Sequence, residues 1–140
     1  MRKKLIGKAA RVTGRRRWAT AAVEMAVVTP LLLTMLFGII EFGYAFSVRQ
    51  SIVTAAREGA RLASMPGSTE AEVRQRVLQY LAPVGVTTST IQLTRSTLAN
   101  PTETVRVLVP YADVSLLGGY FGSTDYNLEA TCSMRKEGMD

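Results

Sequence analysis

The 140-residue chain contains no histidine and only one cysteine, Cys132. The absence of histidine removes the commonest general base and metal ligand, and a single cysteine cannot form an internal disulfide. No lysine lies between Lys8 and Lys136, and the acidic residues that follow position 100 lack the spacing of a calcium-binding loop. We therefore predict that the chain is not an enzyme and has no catalytic, cofactor-binding or metal-binding residues and no small-molecule substrate.

A phosphate-binding glycine loop is also missing from the sequence. The glycine-rich stretch Gly118–Gly122 has neither the spacing of such a loop nor a strand before it and a helix after it. We interpret Tyr120 and Phe121, which lie between these glycines, as a plug in the core; an exposed contact loop is the alternative.

Basic charge is confined to the beginning of the chain. The formal net charge is +6, but eight of the 17 Lys and Arg residues precede Thr20 and all 11 Asp and Glu residues follow it. The basic character therefore belongs to a tail and not to a folded domain, and nucleic-acid binding is not predicted.

A long apolar stretch, Thr20–Phe46, follows this tail. Its centre, Met25–Ile40, carries no charge, and one helix over the whole stretch would measure about 40 Å. A hydrocarbon core is about 30 Å thick, so we predict a single transmembrane helix over residues 19–46. Trp18 at one end, and Phe42, Tyr44 and Phe46 at the other, suit the two membrane interfaces.

The basic tail sets the expected orientation of the helix. Lys and Arg concentrate on the cytoplasmic side of membrane segments, which places residues 1–18 in the cytoplasm and residues 47–140 outside it. A cleaved secretory signal, leaving a soluble exported domain, is an alternative, although the apolar run is longer than the 7–15 residues typical of a signal. Thr13–Trp18 also resembles a twin-arginine signal, although three arginines before a long anchor are equally good stop signals.

No periodic pattern occurs in residues 1–17, which we expect to be disordered or adsorbed to the membrane. The helix is expected to start near Trp18–Thr20.

The pattern from the membrane helix onward predicts an α+β domain. Pro30 is expected to kink this helix, which continues to Ser64 and is stopped by Met65-Pro66-Gly67. Thr69 and Glu72 form a predicted capping box for a second helix, which Pro83 closes.

Three strands, arranged as a small antiparallel sheet, should follow the second helix. They are predicted at Ile91–Arg95, Thr104–Val109 and Tyr126–Met134, where apolar and polar residues alternate. One face of this sheet and one face of the helices should cover each other. Cys132 falls on the apolar face of its strand, which favours a buried, inert thiol.

Two acids and a stripe of small residues are the features of the long helix to explain. Glu24 lies in the apolar segment, where a carboxylate costs about 2–3 kcal/mol at full depth; it either pairs in an assembly or snorkels to the interface. Glu41 is interpreted as a solvated interfacial acid; pairing with a basic residue of a partner helix is the alternative. Ala55, Gly59 and Ala63 recur every four residues, which lets another helix or a sheet approach closely, or marks only an alanine-rich helix.

Several motifs resemble those of one family. Arg15-Arg16-Arg17, Ala21-Ala22-Val23-Glu24-Met25, Pro30-Leu31-Leu32, Phe37–Gly43 and Ala55–Arg61 resemble the corresponding blocks of TadE-like proteins, and the resemblance covers residues 15–64. These proteins are minor pilins or pseudopilins of the bacterial tight-adherence (Tad/Flp) pilus machinery.

The resemblance implies a function, a location and partners. It implies a pilin-like, non-enzymatic subunit of Tad/Flp pili in the bacterial inner membrane, working in adhesion or secretion beside other pilins and the Tad inner-membrane machinery. A permanently anchored binding module that never enters a filament is the alternative. The predicted assembly residues, from the resemblance and from the helix pattern, are Glu24, Pro30, Gly38, Gly43, Ala55, Gly59 and Ala63.

Processing by a prepilin peptidase is a further implication of the resemblance. The family pattern places cleavage after a small residue five positions before the glutamate. Carried to this chain, Glu24 is that glutamate, Ala19 takes the place of the usual glycine, and Thr20 becomes the first residue of the mature protein.

Overall fold

The structure, a computed structural model, describes the backbone of residues 9–138 and the side chains of residues 18–138. Its elements confirm the predicted α+β class, with a long N-terminal helix, a second helix and a three-stranded antiparallel sheet. In chain order they are α1 (Ala9–Ser64), α2 (Glu70–Leu81), β1 (Thr90–Thr94), β2 (Thr102–Pro110) and β3 (Asn127–Arg135), with short 3-10 helices at Ala82–Val84 and Tyr111–Asp113.

Helix α1 begins earlier than predicted. It starts at Ala9, so the prediction of a helix start near Trp18–Thr20 was wrong. Residues 9–19 contain no proline and are rich in alanine and arginine, which are strong helix formers, and extending an existing helix is much easier than nucleating one. The rest of the basic tail, residues 1–8, lies outside the described residues.

Two compact units divide at the bond between Ile40 and Glu41. The described part of the first unit is one helix, whose side chains from Trp18 to Phe37 are all exposed. The helix runs through Pro30 without a break, and the Thr34 hydroxyl donates a 2.8 Å hydrogen bond to the Pro30 carbonyl.

The second unit contains the sheet, in the order β1-β2-β3, with β2 in the centre. Side chains of β2 alternate, so that Glu103, Val105, Val107 and Val109 are all buried on one face. That face meets the buried side chains of α1 and α2, as the sequence predicted. The core residues are Val48, Ile52, Ala55, Ala56, Ala60, Ala63, Val73, Val77, Leu81, Val86, Ile91, Val105, Val107, Val109, Tyr111 and Val114.

Helix α2 has the predicted N-terminus. The Thr69 hydroxyl accepts a hydrogen bond from the Glu72 backbone N–H, and the Glu72 carboxylate accepts one from the Thr69 backbone N–H at 2.8 Å. Of the apolar residues at helical spacing, Val73, Val77 and Leu81 are buried while Leu78 stays exposed.

Strand β2 runs opposite in direction to the part of α1 in the same unit. Lys136, whose backbone N–H donates to the Pro101 carbonyl just before β2, also donates to carbonyls at the end of α1. Tyr111, which directly follows β2, bonds to Glu41. Glu41 and Ser64 are thus at the two ends of this unit, roughly 35 Å apart along the helix at 1.5 Å per residue.

Candidate functional site

The first functional feature is the apolar surface of α1 before Glu41. In the described part of the chain one helix, Trp18–Ser64, is long and apolar enough to cross a membrane. Its large apolar side chains up to Ile40 are exposed. An apolar surface this extensive is unfavourable in water and marks contact with lipid or with other apolar helices.

Glu24, Ala19 and Thr20 all lie on this exposed part of α1. The Ala19–Thr20 bond lies inside the helix, with helical backbone on both sides. Proteolytic cleavage is commonest at exposed, irregular backbone, and this bond is exposed but helical.

Three other predicted assembly residues, Pro30, Gly38 and Gly43, differ in their exposure. Pro30 is exposed, and Gly38 is partly buried. Gly43, just beyond Glu41, is exposed, and a Cβ atom added to it would meet nothing within 4 Å. Its surface is therefore open to a neighbouring helix or to lipid.

The small residues of the outer part of α1 are used within the chain. Ala55, Gly59 and Ala63 are buried in the core. A Cβ atom added to Gly59 would lie 2.7 Å from Val77 Cγ2 in α2 and 3.3 Å from Val105 Cγ1 in β2. The close approach that the spacing indicates is therefore made to this chain's own helix and sheet.

Glu41 is the second functional feature, and the solvated acid expected from the sequence was wrong. Its side chain is 4% exposed and accepts four hydrogen bonds. Oε1 accepts from the Tyr111 hydroxyl at 2.8 Å and the Ser115 hydroxyl at 2.6 Å. Oε2 accepts from the backbone N–H groups of Leu116 at 3.0 Å and Leu117 at 3.2 Å. These four donors compensate the loss of water around the carboxylate.

Glu41 had one signal in the sequence. Positions 41, 45, 48, 52, 55, 59 and 63 follow one another at steps of three or four, which places Glu41 on the helix face that carries Val48 and Ile52. A helical face defined by its apolar members also includes a polar residue at the same spacing. Its donors lie 70 to 76 positions away in the chain, and nothing near Glu41 indicates them.

Aromatic residues surround the Glu41 carboxylate. The rings of Tyr111 and Tyr126 stack with centroids 4.6 Å apart, and the Tyr111 backbone N–H donates to the Tyr126 carbonyl at 2.9 Å. Burial, followed by the hydrogen bond to Glu41, raises the pKa of the Tyr111 phenol well above its ordinary value. Tyr111 therefore remains a donor to Glu41 over the whole physiological pH range.

The connection from Ser115 to Gly122, here called the β2–β3 loop, is held by Glu41 and presents apolar side chains outward. Tyr120 is 72% exposed and Leu116 is 54% exposed, whereas Phe121 is partly buried and contacts the Tyr120 ring edge-on. The interpretation of Tyr120 as part of a core plug was wrong, because its side chain is exposed, and the buried contact of the loop is made by Glu41 with Ser115, Leu116 and Leu117.

A second buried acid lies at the other end of this unit. Glu103 is 1% exposed; its Oε1 accepts from the Ser96 hydroxyl at 3.0 Å and lies 3.5 Å from Lys136 Nζ and 3.8 Å from an Arg95 nitrogen. Lys136 Nζ also donates to the carbonyls of Ala63 at 2.8 Å and Met65 at 3.0 Å. A cation at the C-terminal end of α1 satisfies carbonyls that have no partner within the helix.

Comparison with known protein families gives a match for most of α1. Residues 19–61 match the TadE-like protein family. The resemblance predicted from the motifs is thereby confirmed over this segment, about a third of the chain. No curated protein and no solved structure matches the chain significantly.

The TadE-like segment contains most of the features described above. It includes the exposed apolar surface, Glu24, Glu41 and the buried Gly59, and it ends just before the last turn of α1. TadE-like proteins are a pilus-associated structural family, and the matched segment includes most of the helix that is long and apolar enough to cross a membrane.

Among residues 18–138 no group of three or more His, Cys, Asp or Glu side chains is arranged to hold a metal ion. Cys132 is a free, partly buried thiol beside the core.

Proposed function

We propose that the chain is a non-enzymatic minor pilin or pseudopilin of a Tad/Flp-type pilus. It is anchored in the bacterial inner membrane by α1, with the basic N-terminus in the cytoplasm and the domain that begins near Glu41 outside. It works in adhesion or secretion as a subunit that contacts other pilins and the inner-membrane machinery.

One observation carries this proposal. The part of α1 that matches the TadE-like family, from residue 19 to Ile40, exposes its apolar side chains all around the helix. A soluble protein would cover such a helix with its own core, whereas a pilin helix is covered first by lipid and then by the helices of neighbouring subunits. The asymmetry of basic charge around the helix supports the orientation.

Glu24 favours some arrangements of neighbouring helices over others. A carboxylate inside the span is costly unless it meets a cation or water, so it favours an arrangement that supplies one. If a prepilin peptidase cuts the Ala19–Thr20 bond, the new amino group of one subunit can pair with Glu24 of the next. The pair would fix the axial position of one helix against another.

Processing is tested by the intact mass and the N-terminal sequence of protein extracted from native membranes. A mature form beginning at Thr20 is expected. A chain that keeps the basic tail and is released only by detergent, never with sheared surface fibres, would instead support the permanently anchored binding module.

The role of Glu24 is tested with two substitutions of nearly equal size. Glu24→Gln removes the charge and should leave membrane insertion unchanged while reducing co-purification with pilins and the output of pili. Glu24→Asp keeps the charge and should retain most of both. Normal assembly of the Glu24→Gln protein would show that the carboxylate is only tolerated at the interface.

A further inference from the structure

The β2–β3 loop carries an apolar, uncharged surface that the described part of the chain leaves uncovered. No charged residue occurs between Asp113 and Asp125. Within this interval Leu116 and Tyr120 point large side chains to the outside. Such a combination is unusual in a loop, since loops that face water are commonly polar.

Hydrogen bonds hold the β2–β3 loop in a defined position. Its first residues are bonded to Glu41, through the Ser115 hydroxyl and the N–H groups of Leu116 and Leu117. Two further turns close it, with Tyr120 N–H donating to the Leu117 carbonyl at 3.2 Å and Gly122 N–H to the Gly119 carbonyl at 3.1 Å. The exposed side chains are therefore presented in a defined place.

That place is set by the position of Glu41 in the sequence. Glu41 directly follows Ile40, the last residue of the uncharged run that begins at Met25. In a helix that spans a bilayer, the residues just after such a run lie at the boundary between hydrocarbon and water. The backbone N–H of Leu116 donates a 3.0 Å hydrogen bond to Glu41, which places Leu116 close to the level of Glu41.

We propose that the β2–β3 loop is a second membrane contact, in which Leu116 and Tyr120 enter the headgroup region of the bilayer that α1 spans. The inference rests on the membrane anchoring proposed above. Tyrosine favours this region because its ring is apolar and its hydroxyl reaches water. Burial of the leucine side chain removes apolar surface from water, so contact with lipid is favourable. The loop and α1 then hold the outer domain to the lipid surface at two points.

Single-tryptophan reporters in the full-length protein test this contact. Trp18 is the one tryptophan of the chain, so Trp18→Phe provides a background without indole. In that background Tyr120→Trp places the reporter in the loop, and Phe42→Trp places one at the end of the apolar run. Leu98→Trp is the control, because Leu98 is 97% exposed and lies in the turn between β1 and β2, at the Ser64 end of the unit.

The proteins are reconstituted in phosphatidylcholine vesicles with and without brominated acyl chains. Bromolipid should reduce the emission of the Tyr120→Trp reporter to an extent similar to that of the Phe42→Trp reporter, and should leave the Leu98→Trp reporter unchanged. Adding Leu116→Ser to the Tyr120→Trp protein should weaken the quenching, because one of the two apolar side chains that contact lipid is lost. The backbone N–H that bonds to Glu41 is retained, so the loop keeps its position.

Flotation of the same vesicles separates the two proposals. Protein that floats with the vesicles while its Tyr120→Trp reporter escapes quenching would overturn the loop contact and leave the membrane anchor standing. A reporter protected from aqueous iodide but not quenched by bromolipid would point to a protein partner and would also overturn it. Protein that fails to float would overturn the anchor, and the loop contact with it.

Discussion

The Tyr111 hydroxyl lies 2.8 Å from Oε1 of Glu41, a residue 70 positions earlier in the chain. This bond joins the end of β2 to the place where α1 enters the folded unit. Together with the donors from the β2–β3 loop, it makes a charged side chain part of the interior. A carboxylate with four donors and little exposure is a structural element, and its removal should weaken the whole unit.

Substitution of Glu41 should therefore be strongly destabilising. Glu41→Ala leaves a phenol, a serine hydroxyl and two backbone N–H groups without their acceptor, and the expected loss in the free energy of unfolding is about 3 kcal/mol or more. Tyr111→Phe removes a single donor and should cost only about 1 kcal/mol. Urea unfolding of the full-length protein in detergent, followed by near-ultraviolet circular dichroism, measures both. Equal effects of the two substitutions would contradict the four-donor arrangement.

Gly59 and Gly43 form a matched pair of glycines in the same helix. Gly59→Ala gains helix propensity but forces a methyl group against Val77 and Val105, so a net loss of about 1–2 kcal/mol is expected. Gly43→Ala meets nothing within 4 Å and should stabilise the helix by about 0.5–1 kcal/mol. Thermal unfolding in detergent reports the two shifts, which should have opposite signs. Two shifts of the same sign would contradict the packing at Gly59.

Lys136 and Glu103 should behave as a coupled pair. Lys136→Met leaves Glu103 buried with weaker compensation and also frees the carbonyls of Ala63 and Met65, which should cost about 3 kcal/mol. Glu103→Leu in the same protein removes the buried charge and should recover part of that loss. A double-mutant cycle on the free energy of unfolding measures the coupling, and strict additivity of the two changes would show that the residues do not interact.

The capping box predicts a pH dependence for α2. The backbone N–H and then the hydroxyl of Thr69 hold the pKa of Glu72 below its ordinary value. A lowered pKa in the folded state means that the carboxylate stabilises the fold above the ordinary glutamate pKa of about 4.3 and loses that contribution as the pH falls through the folded-state pKa. Glu72→Gln should therefore lower the melting temperature at neutral pH and have a smaller effect near pH 3. An effect that does not vary with pH would exclude the charge as its cause.

Local features of the sequence predicted local structure well. Thr69 and Glu72 predicted the start of α2 correctly, because a capping box is formed by residues three positions apart. The strands were found within two residues of their observed ends because alternation is also a local property. The start of α1 was missed because helix extension through Ala9–Arg17 depends on the helix already formed after it and not on a periodic pattern.

Interactions between distant parts of the chain were not predictable in this way. Glu41 and Glu103 both carry a charge at a position that continues an apolar pattern, at helical spacing in α1 and at every second residue in β2. Their burial depends on donors and cations that are distant in the sequence, such as Tyr111 for Glu41 and Lys136 for Glu103. The small-residue spacing at Gly59 predicted a close neighbour correctly, but spacing does not say whether the neighbour belongs to the same chain.

The docking of Lys136 on the end of α1 has a consequence for the order in which the protein is made. Its bond to the Ala63 carbonyl spans 73 positions, so α1 emerges from the ribosome long before the residue that closes its end. During this interval the face from Val48 to Ala63 has neither sheet nor cation against it. Contacts so distant in sequence form slowly because a long loop must close first. All of α1 is therefore synthesised before the unit that packs against its second half is able to fold.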